Sequence, residues 1–115
     1  MKAGVLIEKL LHDGSLTDNV LVRVDDMTLG VTHVHVSKYG TYLIASEDAT
    51  EYSVMTTGDL LMRMIKKLFT NSLDKTVMLV LEMYGDDDDL IAWMRKVGHV
   101  EYSDGVFVIF AEDER

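Results

Sequence analysis

Apolar residues recur along this chain with two periods, and the switches between them mark its elements. Ala3, Leu6, Ile7, Leu10 and Leu11 share one stripe of a short helix that ends near Asp13-Gly14. Val20, Val22 and Val24 then alternate with Leu21, Arg23 and Asp25, the pattern of a half-buried strand closed by a loop from Asp25 to Gly30. Thr32, Val34 and Val36 alternate with Val31, His33 and His35. A short turn at Lys38-Tyr39-Gly40 leads into a further strand from Thr41 to Ser46, which predicts a three-stranded meander.

After a polar connection from Glu47 to Thr56, Thr57 is placed to cap a second helix carrying Leu60, Leu61, Met64, Ile65 and Leu68. Arg63, Lys66 and Lys67 fall on its wet face. The apolar run Val77 to Met83 predicts a central strand covered on both sides. Asp86-Asp87-Asp88-Asp89 opens a predicted third helix bearing Leu90, Ile91, Met94 and Val97 and stopped by Gly98. A hairpin from His99 to Tyr102 and Val106 to Ala111 closes the chain. The expected architecture is a single α+β domain over residues 1–115, in the order α-β-β-β-α-β-α-β-β. Its sheet is antiparallel or mixed with helices packed on it, and no internal repeat is apparent.

A length of 115 residues, 48% hydrophobic and 27% charged, fits one self-folding globular domain and argues against disorder. The net charge of -9 repels phosphate, which disfavours direct binding to nucleic acid or anionic membranes and favours partners with basic surfaces. Zero cysteines exclude disulfides and thiolate chemistry and fit a reducing compartment, with the cytoplasm as the expected location. The run Ala3 to Leu11 is interrupted by Glu8 and Lys9 and reads as a helix, not as an export signal or a membrane span.

No nucleophile elbow, phosphate-cradling lysine loop or zinc-protease helix occurs, so the reading leans away from an enzyme and assigns no catalytic residue and no cofactor. His33 and His35 lie two apart in a predicted strand and point to one face, so the alternative is a small-ligand or divalent-metal site completed by nearby carboxylates. The acids cluster at turns and helix starts. Among them, Glu47, Asp48, Glu51 and Asp86, Asp87, Asp88 and Asp89 are candidate contacts to a basic partner, with Trp93 contributing an apolar patch. A third reading is a homo-oligomeric accessory subunit pairing through Val106 to Ala111.

The opening Met1-Lys2-Ala3-Gly4-Val5-Leu6-Ile7-Glu8-Lys9-Leu10, followed by Asp18-Asn19-Val20-Leu21-Val22-Arg23-Val24, resembles the start of many small phage or mobile-element accessory proteins. The α-β-β-β-α order over residues 1–73, with the acidity, is similar to some type II anti-CRISPR inhibitors. That resemblance implies an anti-defence inhibitor working in a host cytoplasm by blocking the nucleic-acid site of a nuclease. It carries no individual site residue over.

Overall fold

The computed structural model describes residues 1–47, 55–66, 72–84, 87 and 89–112. Six strands close into a barrel in the order in which they occur in the chain. Helix α1 (Ala3–His12) precedes β1 (Asn19–Val24), β2 (Met27–Ser37) and β3 (Gly40–Ser46). Helix α2 (Thr57–Ile65) and a 3-10 turn (Ser72–Asp74) then precede β4 (Met78–Tyr84), β5 (Leu90–Ser103) and β6 (Val106–Ala111). Neighbouring strands are antiparallel except for two parallel seams, β3 against β4 and β1 against β6. The α+β class and a mixed sheet therefore hold, with the sheet rolled up on itself. Among the described residues no helix is long and apolar enough to cross a membrane.

The barrel interior takes every second residue of β1, β4 and β6, as closure requires. Val20, Val22 and Val24 of β1, Leu79 and Leu81 of β4, and Phe107, Ile109 and Ala111 of β6 are buried together with Leu6 and Leu10 of α1 and Leu60 and Met64 of α2. β4 is thus not covered on both sides, because Met78 and Val80 on its outer face remain partly exposed. β2 begins four residues earlier than the pattern suggests, with a turn of only Asp25 and Asp26, and Asp25 holds a left-handed φ of 53° there. The cap of α2 is Thr56, whose side chain accepts from the Asp59 N–H at 3.2 Å, while Thr57 is buried inside the helix.

The expected third helix is a strand. Leu90 to Lys96 pair residue by residue with Tyr84 to Met78, so β4 and β5 form a long hairpin, and Gly98 sits at a bulge instead of a helix stop. Their helical spacing is real, but a partner strand supplies hydrogen bonds and a register that local periodicity cannot outweigh.

An internal repeat is also present, contrary to expectation: the chain folds as two αβββ units related by an approximate two-fold. The Ala3 N–H donates to the Lys75 carbonyl at 2.9 Å, and the equivalent Thr57 N–H to the Asp18 carbonyl at 2.7 Å. The Val77 N–H reaches the Met1 carbonyl at 2.9 Å, and the Val20 N–H reaches the Met55 carbonyl at 3.0 Å. Gly4 lies against the Leu73 carbonyl and Gly58 against that of Leu16, each leaving only 3.3 Å and 3.1 Å to an added Cβ. Both units share the motif Val-x-His-Val-x-x-Ser, at Val31 to Ser37 and Val97 to Ser103, and each carries its bulge between that Val and His. Each helix packs on the segment leading into the other unit's first strand, so the halves interlock as one domain.

Candidate functional site: an acidic end of the barrel

Strand direction decides which loops meet. β1, β3, β4 and β6 run the same way, and β2 and β5 return. The ends of β1, β3, β4 and β6 and the starts of β2 and β5 therefore gather at one end of the barrel. That end carries Asp25 and Asp26 of the first turn, Glu47 after β3, Glu82 of β4, Asp87 and Asp89 of the second hairpin, and Glu112 after β6. Among the described residues the cations there are Arg23, Arg95 and Lys96, which these acids outnumber. At the opposite end Lys2, Lys38 and Lys75 stand among Asp18, Asp74 and Asp104, so the sign is mixed. Separate clusters along the chain thus become one predominantly negative surface.

Glu47, Asp87 and Asp89 lie on this surface, all exposed. Asp48, Glu51, Asp86 and Asp88 lie outside the described residues. Trp93 stands 47% exposed on β5 beside the same end, with Ile91 at 39% and Met94 at 56%. Because β5 is a strand, Trp93 and Met94 point to opposite faces and do not form the single helical patch that their spacing suggested. Both nonetheless line an open depression of about 570 Å³, together with Asp25, Ala92 and Arg95.

His33 and His35 do share a face and are exposed, but they are occupied differently. The His33 Nδ1 lies 3.0 Å from the Thr32 hydroxyl, and the His35 ring is 6.2 Å from that of Tyr42. Among the described residues no group of three or more His, Asp or Glu side chains converges to hold a metal ion. The repeat supplies another account of His33: its equivalent, His99, stacks on Phe110 at 4.5 Å and 3° across the strand pair. A histidine just past the bulge thus recurs in both halves. β6 is hydrogen-bonded on both sides, to β1 and to β5, so Val106 to Ala111 offer no edge for a second chain.

Two features escaped the reading of the sequence. Arg63 of α2 and Lys66 at its C-cap, with His35 and Val36 of β2, flank a depression of about 230 Å³. A polar anchor forms where Asp18 accepts from the Tyr102 hydroxyl at 2.8 Å and from the Ser15 N–H at 2.7 Å. That hydrogen bond, with partial burial and the negative charge of Asp18, raises the Tyr102 pKa above its ordinary value. Comparison of the chain with protein-family models, curated proteins and solved structures finds no match.

Proposed function

We propose that this chain is a non-catalytic protein-interaction domain whose acidic barrel end engages a basic surface of another protein. The observation that carries the reading is the gathering of Asp25, Asp26, Glu47, Glu82, Asp87, Asp89 and Glu112 at one end by strand direction alone. A rigid barrel holding carboxylates in fixed array is suited to a lysine- and arginine-lined groove, where it competes with phosphate for the same cations. The resemblance to mobile-element inhibitors makes the nucleic-acid site of a host or defence protein the natural target.

The test compares one triple and one double variant, each made of isosteric Asp→Asn substitutions. Asp25→Asn, Asp26→Asn and Asp87→Asn neutralise the acidic end, and Asn tolerates the left-handed backbone at Asp25. Asp74→Asn with Asp104→Asn removes charge at the opposite end. Host proteins captured by the wild type should be released by salt and by heparin, lost by the first variant and kept by the second. Equal capture by both variants overturns the reading.

A further inference from the structure

The β4–β5 hairpin breaks the symmetry of the repeat. In the first unit β1 and β2 pair over four residues, Leu21 to Val24. In the second, β4 and β5 pair over seven, Met78 to Tyr84. The extra length carries the start of β5 past the end of β6, which first meets β5 at Val97. The last contact is the Glu112 N–H donating to the Lys96 carbonyl at 2.7 Å. Among the described residues no strand pairs with the other edge of Leu90 to Arg95. The depression beside it is lined by both faces of the strand, Trp93 and Arg95 on one and Ala92 and Met94 on the other, as a groove along a strand edge must be. Open, apolar strand edges are templates for strand addition.

The residues along this edge say which strand fits. Asp89, Ile91, Trp93 and Arg95 alternate onto one face, reading acid, apolar, apolar, base, and all four are exposed. Laid antiparallel against a copy of itself about a two-fold at Ala92, the stripe matches itself. Asp89 faces Arg95, Ile91 faces Trp93, and on the other face Ala92 meets Ala92. Opposite charges and aromatic–aliphatic pairs directly across a ladder are the stabilising combinations. Shifting the two-fold by one residue sets Trp93 against Trp93 and brings Asp89 opposite the buried Val97 instead.

We infer that a second copy of this chain pairs through β5, joining two barrels by an antiparallel ladder centred on Ala92. A two-fold contact of this kind is self-complementary and closes at two chains. It goes beyond the binding of a basic partner, since it concerns the isolated protein and rests on the strand edge and Arg95; the two readings share Asp89 alone.

Light scattering and sedimentation of the purified chain at physiological ionic strength, over a dilution series, should show a reversible doubling of mass. Asp89→Arg and Arg95→Glu each set two like-charge pairs across the ladder and should weaken the dimer at least about tenfold. Mixing the two variants restores both opposite pairs, so the mixture should dimerise where neither component does. The chain has no cysteine, so Ala92→Cys introduces a unique thiol. It should form an intermolecular disulfide, whereas Met94→Cys places its thiols about 13 Å apart along the ladder and should not. A chain that stays monomeric throughout overturns the inference, as does a dimer indifferent to both charge reversals or cross-linked by Met94→Cys and not by Ala92→Cys. All of these are measured without a partner, so failure here leaves the acidic-end reading standing, and the converse.

Discussion

At Gly98 the two units differ for a steric reason. Its equivalent in the first unit is Thr32, whose hydroxyl donates to the Ile44 carbonyl at 3.2 Å, so the bulged backbone itself accepts a side chain. At Gly98 an added Cβ would stand 2.9 Å from the Glu112 Cα, 3.1 Å from its nitrogen and 3.2 Å from the Ala111 carbonyl oxygen. All three atoms are backbone, and the first falls about 0.6 Å short of comfortable carbon contact. Relief requires moving Glu112, which breaks its 2.7 Å bond to Lys96. Gly98→Ala should therefore cost about 1–3 kcal/mol, the usual range for overpacking without a place to expand. For 115 residues the unfolding entropy makes 1 kcal/mol worth about 4 °C, so Tm should fall by roughly 4–12 °C in a thermal melt followed by circular dichroism. Ending the chain at Ala111 removes the two nearest obstructing atoms and leaves only the Ala111 carbonyl oxygen at 3.2 Å, so the same substitution in that shorter chain should cost less, a coupling that a double-mutant cycle reads directly. A Gly98→Ala protein that melts within about 1 °C of the wild type refutes the argument. So does an equal loss in the shortened chain.

Gly14 has a comparable constraint from side chains: an added Cβ would meet the Tyr102 ring at 2.6 Å and the buried Phe107 ring at 2.8 Å. Gly14→Ala should cost about 1–3 kcal/mol in denaturant unfolding. Thr56→Ala removes the cap of α2 and should cost about 1 kcal/mol, with Thr56→Ser retaining most of it. Tyr102 carries a pKa raised above 10.0 by its bond to Asp18, so the folded state favours the protonated phenol. Its stabilising effect is complete below the unfolded pKa near 10 and disappears as pH rises through the higher folded value. The Tm advantage of the wild type over Tyr102→Phe should accordingly hold at pH 8 and shrink in strongly alkaline buffer, and an advantage independent of pH would contradict the Asp18 bond.

Local patterning carried the two helices and most strands, because each buries one face against the same core. Leu6 and Leu10, Leu60 and Met64, and the alternating valines of β1 are legible for that reason. Residues 90–98 misled because Leu90, Ile91, Met94 and Val97 satisfy a helical spacing, while their pairing with β4 depends on contacts set by the register of another segment. The repeat was hidden by its loops. Gly4 answers to Gly58, Val20 to Val77 and Val31 to Val97, so the spacing between equivalents grows along the chain and no fixed period exists to detect. The acidic end was half legible: each cluster is visible at a turn, but their meeting follows from strand directions, and two parallel seams set those directions.

The repeat also separates what the fold needs from what it does not. Features present in both units, such as the bulge with its following histidine and the glycine at each helix start, are explained by closing the barrel. Features present once have no such explanation, and several of them gather at one place. The lengthened β4–β5 hairpin, the exposed Ile91, Trp93 and Met94, and the acids Asp87 and Asp89 all belong to the end where the second unit outgrows the first. A barrel can close without any of them. Exposed apolar side chains along an open strand edge invite aggregation and are ordinarily suppressed by charge or cover. Here Asp89 and Arg95 bracket the apolar pair Ile91 and Trp93 so that one antiparallel register satisfies both charges. Slipped registers set apolar residues against charged ones. The same residues thus limit pairing to one geometry, and a pair joined in it presents two acidic ends side by side.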